Sequence, residues 1–278
     1  MQKTKESTAT LNNGVKIPYL GLGTWLAQGK KCVQAVKYAL NHGYVMIDTA
    51  QAYGNEKQVG EGWKASGKSR DEIFITTKIR NSNQGYQSAT DSFEKSLEKL
   101  QTDYVDLLLI HWPNIKQFNR TVETWRALVD LREKGLAKSI GVSNFTIPLT
   151  DKLLDQIDIV PAVNQVEFHT FLYQKELLAY CRDNDIQIEA YSPIARAKFL
   201  DNDVLQQVAK KYDKTAAQVM LAWCLNHDLV VIPKTVHEDR IEENADIFFD
   251  LDQEDMEALD NLGPETRLVT GGWQPPSW

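Results

Sequence analysis

Apolar and β-branched residues gather in eight short, nearly continuous runs: YLGLGTW (19–25), VMIDTA (45–50), IFITTKI (73–79), VDLLLIHW (105–112), SIGVSNF (139–145), AVNQVEF (162–168), IQIEAYSP (186–193) and LVVIPKT (229–235). Between most of them the apolar positions recur at helical spacing, as in KKCVQAVKYALNHG, SATDSFEKSLEKL, TVETWRALVDLREKG, YQKELLAYCRDND and TAAQVMLAWCLNHD. Several of these segments close on Gly or Asn after a basic last turn, a helix stop signal. Near-continuous apolar strands alternating with amphipathic helices predict a parallel sheet covered on its outer face, because each crossover must bury its helix against the strands. Eight such units predict an α/β fold, a closed (β/α)8 TIM barrel. Ahead of it, TATLNNGVKIP carries Asn12-Asn13-Gly14 between two β-prone stretches, the pattern of a hairpin capping the barrel's bottom. The last ~15 residues, ending GGWQPPSW, read as an irregular C-terminal tail.

Length and composition fit this picture. The 278 residues match one barrel, no Ser/Gly linker divides them, and residues 1–278 read as a single domain. Thirty-one basic against 38 acidic side chains leave a formal charge of -7, which argues against general affinity for nucleic acid or anionic membranes. An anionic ligand must therefore be met locally. Cys32, Cys181 and Cys224 are odd in number, far apart and outside any C-x-x-C spacing, so they read as reduced thiols and not as a metal site. The polar start MQKTKESTATLNNG holds no signal-peptide core, and no segment reaches the ~18 apolar residues of a membrane span. The expectation is a cytoplasmic protein and, lacking a coiled coil or an apolar edge, a monomer.

In such barrels the C-terminal strand ends converge on the face that carries chemistry. Polar residues collect there: Thr24-Trp25, Asp48 then Tyr53, Lys78, His111-Trp112, Ser143-Asn144, Gln165, Tyr191-Ser192 and Lys234-Thr235. Taken singly, His111 after LLLI is more often a structural histidine, and Lys78 could be a snorkelling strand-end lysine. Asp48, Tyr53, Lys78 and His111 together resist that reading, because burying unpaired charge is costly and these groups can pair with one another. They suit a reaction in which a carbonyl oxygen gains a proton. Tyr53 would donate it, a Lys78 ammonium would favour the phenolate, Asp48 would keep the lysine charged, and His111 would orient the carbonyl. A hydride from a nicotinamide would supply the electrons.

GLGTW, DTAQAYGNE, ITTKI, LLLIHWP, IGVSNF, NQVEFH, AYSP and PKTVHEDRIEEN occur in the order and spacing of the aldo-keto reductases, which the chain resembles over essentially its whole length. It is most similar to the short-looped bacterial type, the diketogluconate and glyoxal reductases. The resemblance implies a catalytic tetrad of Asp48, Tyr53, Lys78 and His111, and NADPH-dependent reduction of a small aldehyde or ketone. It further implies that Thr24, Asp48, Ser143, Asn144 and Gln165 surround the nicotinamide, the last three bonding its carboxamide, with Tyr191 stacked on the ring. The cofactor would continue past Ser192, Pro193 and Ile194 to Lys234, Thr235 and Arg240 at a 2′-phosphate, with Val236 also in contact with it and Glu243 and Asn244 beside the adenine. Two cations and a hydroxyl at that end favour NADPH over NADH. Trp25, Trp112 and Trp273 would wall the substrate pocket.

The chain departs from the family pattern in places. After AYSP it reads IARAKF where many relatives carry glycine, and NIKQFNR after His111-Trp112-Pro113 is short, which implies an open pocket. His237 stands where it would touch either the 2′-phosphate or solvent. GLGTWL lacks the third glycine of a G-x-G-x-x-G fingerprint, which this family does not use. Two other classes compete: an aldolase using Lys78 as a Schiff-base nucleophile, and a cofactor-binding regulatory or redox-sensing subunit with little turnover.

Overall fold

A computed structural model describes residues 3–270. The chain opens with an antiparallel pair, β1 (Thr8–Thr10) and β2 (Lys16–Pro18). Eight parallel strands follow: β3 (Leu22–Gly23), β4 (Met46–Asp48), β5 (Phe74–Ile79), β6 (Val105–Ile110), β7 (Ala137–Ser143), β8 (Val163–Glu167), β9 (Gln187–Tyr191) and β10 (Val230–Val231). Each pairs with the next in sequence. The first and last meet through Gly21 N–H to Val231 O at 2.9 Å, Val231 N–H to Tyr19 O at 2.9 Å and Gly23 N–H to Pro233 O at 3.1 Å, so the sheet closes into a barrel.

Each of the eight apolar runs coincides with a strand, β7 starting two residues before its run, and β4, β5, β6 and β8 are buried at every position, which is why they carry no polar alternation. The two runs at the seam hold the shortest strands. There the ladder is interrupted by Pro233, which has no N–H to donate.

The crossovers are α1 (Gly29–Asn41), α2 (Glu56–Ser66), α3 (Tyr86–Leu100), α4 (Phe118–Glu133), α5 (Ile147–Leu154), α6 (Lys175–Asp183), α7 (Asp203–Tyr212) and α8 (Ala216–Asn226), followed by α9 (Glu238–Glu243) and α10 (Gln253–Asp260). The five periodic segments are α1, α3, α4, α6 and α8. The last starts in a capping box, the Thr215 hydroxyl accepting from Gln218 N–H while the Gln218 side chain accepts from Thr215 N–H. Trp125 of α4 and Trp223 of α8 are completely buried.

The N-terminal hairpin lies at the barrel's bottom as its turn predicts. Asn12 donates to Pro161 O at 3.2 Å and Asn13 to Lys138 O at 3.0 Å, so the turn is pinned where β7 and β8 begin. The tail from residue 264 to 270 has no regular structure. Cys32, Cys181 and Cys224 are buried and unpaired, and among the described residues no helix is long and apolar enough to cross a membrane.

Candidate active site

Asp48 is the last residue of β4, and the parallel register sets it beside Gly23 and Thr76 of the flanking strands. Lys78, two residues further along β5 than Thr76, points its amine back toward Asp48. Its Nζ donates to Asp48 Oδ1 at 2.6 Å, to Oδ2 at 2.7 Å and to Thr49 O at 2.9 Å. The lysine side chain is 0% exposed, so this pairing holds its charge inside the barrel. Removing either partner would strand a buried charge, at a cost of about 3–5 kcal/mol.

Immediately beyond β4 a single tight helical turn, Gln51–Tyr53, carries the phenol around to the barrel axis. The Tyr53 oxygen then lies 3.4 Å from Lys78 Nζ. An ammonium can only donate, so the phenol oxygen accepts and its own O–H is left to donate outward. His111 follows β6, its N–H bonded to Ile79 O at 3.1 Å, and its ring meets that of Tyr53 edge-on with centroids 5.5 Å apart. All four predicted chemical groups therefore converge.

The electrostatics correct one expectation. Tyr53 sits above the usual phenol range, because burial raises it more than Lys78 lowers it. It is fully protonated at neutral pH, as a proton donor must be. Burial alone would lower the Lys78 ammonium, but Asp48 and Tyr53 more than offset that and hold it above the usual lysine range. Burial, then the Lys78 charge, push the His111 imidazole down to about 3. His111 is thus neutral at every physiological pH.

β7, β8 and β9 build the opposite wall. Ser143 Oγ donates to Gln165 O at 2.8 Å, and Asn144, in a left-handed conformation with φ 65°, donates through Nδ2 to His111 O at 2.9 Å and to Ser143 Oγ at 3.0 Å. Asn144 Oδ1 accepts from the Tyr191 hydroxyl at 2.8 Å. The Asn144 amide thus braces His111 and Tyr191 in one frame, a role its sequence position did not disclose. Thr24 closes the ring, its hydroxyl donating to Asp48 O at 2.8 Å.

These residues face one cavity of about 540 Å³, within the range of small-molecule clefts. Of the predicted site residues, Thr24, Trp25, Asp48, Tyr53, His111, Trp112, Ser143, Asn144, Gln165, Tyr191, Ser192, Pro193, Ile194, Lys234 and Arg240 line it. Lys78 stands behind Asp48. Thr235, Val236, Glu243 and Asn244 are outside the lining. Thr235 is buried and accepts from His237 N–H, Glu243 Oε1 accepts from the Thr215 hydroxyl at 2.7 Å, and Asn244 is buried. Trp273 lies outside the described residues.

Sequence reasoning missed Arg196, Val269 and the buried Glu189. Arg196 belongs to the IARAKF departure, where Ala195, Arg196 and Ala197 are all left-handed with φ of 46°, 52° and 61°. Its guanidinium lies 4.7 Å over the Trp25 ring at the cavity edge. Glu189 had a signal, a lone acid inside the apolar run IQIEAYSP on the same strand face as Tyr191.

The donor set suits a phosphorylated dinucleotide. Among the described residues, Arg196, Lys234 and Arg240 bring three cations to the cavity, while the one lining carboxylate, Asp48, is already neutralised by Lys78. The phosphate oxygens of such a ligand would supply the missing counter-charge.

Comparisons with known proteins agree with this chemistry. The sequence profile of the Aldo/keto reductase family matches residues 19–264. The chain is similar to the glyoxal reductase of Bacillus subtilis (strain 168), 48% identical over 270 residues that cover 96% of this chain and 97% of that protein. It is 44% identical to the methylglyoxal reductase DkgA of Yersinia pestis over 268 residues, 95% of this chain and 96% of that one. Among solved structures it superposes on an aldo/keto reductase from Brucella melitensis with a TM-score of 0.89 at 44% identity, covering 92% of this chain and 99% of that chain. An aldo-keto reductase of Bombyx mori in complex with NADP gives 0.88 at 34% identity, with 95% and 94% covered.

Proposed function

Since the chain belongs to the aldo/keto reductase family, whose members support NADPH-dependent reduction of aldehydes and ketones as its activity, we propose that Tyr53 is the group that protonates the carbonyl oxygen. The observation that carries this reading is the chain of contacts from Asp48 through the buried Lys78 to the Tyr53 oxygen. When bound, NADPH supplies the hydride that converts the carbonyl carbon to an alcohol carbon.

The protein's own part is to place and protonate the oxygen. Tyr53 O–H and the neutral His111 ring form the polar end of the pocket, and Trp25 and Trp112 form its apolar walls. As the carbonyl oxygen gains charge, Tyr53 gives up its proton, and the resulting phenolate faces an ammonium already in place. Asp48 prevents Lys78 from losing its own proton, which also disfavours the Schiff-base alternative, since that chemistry needs a free amine. Lys234 and Arg240 would take the 2′-phosphate, and Ser143, Asn144 and Gln165 the carboxamide.

The short segment after Trp112 leaves the pocket open, which favours a small activated aldehyde such as a 1,2-dicarbonyl. A cytoplasmic monomer is the setting we favour, supported by three buried thiols and by a sheet that closes on itself. The test is Tyr53→Phe with NADPH and a 1,2-dicarbonyl. Turnover should fall by about 10²–10⁴ while cofactor fluorescence still titrates to the wild-type affinity. Turnover within a few-fold of wild type would remove Tyr53 from the acid role.

A further inference from the structure

We propose that Glu189 is a positioning residue for the nicotinamide end of the cofactor, fixing the Gln165 amide so that its carbonyl oxygen faces the cavity. This rests on the NADPH reading above.

Gln165 Nε2 carries two hydrogens. One goes to Asp48 Oδ2 at 2.9 Å and the other to Glu189 Oε2 at 2.8 Å. Asp48 Oδ2 belongs to the carboxylate paired with Lys78 and can only accept, so the amide has one sense only: turned over, it would set its oxygen against that charge. Gln165 nevertheless lines the cavity. With its nitrogen committed on the barrel side, the group it has left to offer is the carbonyl oxygen, which can meet only a donor. The amide N–H of a nicotinamide carboxamide is such a donor.

Asp48 alone would not fix this arrangement, because a single N–H contact leaves the amide free to pivot and Asp48 already holds Lys78 through both oxygens. The second anchor is built into the sheet. Gln165 and Glu189 are direct partners in the parallel register of β8 and β9, so they occupy one layer of the barrel interior. Glu189 is completely buried, and its other oxygen, Oε1, has no hydrogen-bond partner among the described residues. A carboxyl kept in the core on these terms is poor packing, which is a reason to look for a role outside stability. Burial, then the Asp48 charge, push Glu189 up to about 8, so at neutral pH it sits there protonated and adds no second charge beside Asp48. Oε2 remains an acceptor in that form.

The experiment compares wild type, Glu189→Leu and Glu189→Gln in the full chain, using two ligands: NADPH and its nicotinamide-free fragment, 2′-phospho-ADP-ribose. In Glu189→Leu the NADPH dissociation constant should rise on the order of tenfold, the loss of one good hydrogen bond. Affinity for the fragment should stay at the wild-type value. Glu189→Gln, whose amide oxygen can accept the same hydrogen, should bring NADPH affinity back to within a few-fold. Wild-type NADPH affinity in Glu189→Leu overturns the proposal, as does equal weakening of both ligands or failure of Glu189→Gln to restore binding. A wild-type protein that neither binds nor oxidises NADPH would sink the reading of the whole site, a result distinct from these.

Discussion

A single imidazole illustrates how closely placement decides chemistry. His111 directly follows a buried strand and lies near the Lys78 ammonium, and burial followed by that charge push its pKa down to about 3. In the unfolded chain the same group titrates near ~6.5. As pH falls below that value the unfolded state takes up a proton that the folded state refuses, so stability drops between about pH 6.5 and 3. His111→Asn should therefore flatten this acid limb, seen as a smaller loss of melting temperature from pH 7 to pH 4 than in wild type. An equal loss in both proteins would place the ring in a much wetter site than the structure does. The residue-scale picture was largely legible beforehand. Asp48, Tyr53, Lys78 and His111 are chemically unusual at strand ends, and their motifs are spaced as in the family. Glu189 was quoted within a strand and passed over, because nothing in IQIEAYSP says that its carboxyl meets the Gln165 amide across the sheet. The net rise of Tyr53 was hidden for a related reason: a sequence shows the neighbouring charge and not the depth of burial that outweighs it.

Elements show a similar division. The eight strands could be read from their apolar runs, and α1, α3, α4, α6 and α8 from their period. α2 could not, since EKQVGEGWKAS holds two glycines in eleven residues, a composition that lowers helix propensity. The structure supplies the reason for them. A Cβ on Gly60 would stand 2.4 Å from Lys99 O, and one on Gly62 2.7 Å from Val36 Cβ and 2.9 Å from Val33 O. The glycines let α2 press against α3 on one side and α1 on the other. Gly62→Ala should gain up to ~1 kcal/mol of helix propensity and lose more to overpacking against α1, typically ~1–3 kcal/mol. The expected result is a melting temperature lower by a few degrees with NADPH affinity unchanged, because the α1–α2 contact lies on the barrel's outer layer. A rise in melting temperature would mean that α1 yields easily and that the close approach is incidental.

For the molecule as a whole, the two ends of the chain serve the two mouths of the barrel. The N-terminal hairpin is pinned at the bottom by Asn12 and Asn13, and the C-terminal segment returns across the top. Thr266 N–H bonds Phe171 O at 2.7 Å, Arg267 donates to Gln174 Oε1 at 3.1 Å, and the Leu268 and Val269 N–H groups reach the two oxygens of Glu167 at 2.8 and 3.0 Å. Glu167 ends β8, two residues beyond Gln165, so one strand carries both a wall of the cofactor cavity and the latch for the tail. Burial would raise its carboxyl, but His169 and the two backbone N–H groups prevail and hold it below the usual range, so it is ionised and accepts strongly. Val269, placed by this latch, lines the cavity. Removing the carboxylate in Glu167→Leu should loosen the segment around Arg267, making trypsin cleave there faster than in wild type. The carbonyl substrate's KM should rise on the order of tenfold, as expected when a pocket wall loses a charge-assisted hydrogen bond. NADPH affinity should change little, because Gln165 and Lys234 stand on other supports. Unchanged cleavage together with an unchanged substrate KM would show that the other contacts suffice to seat the tail, and that Glu167 is not its latch.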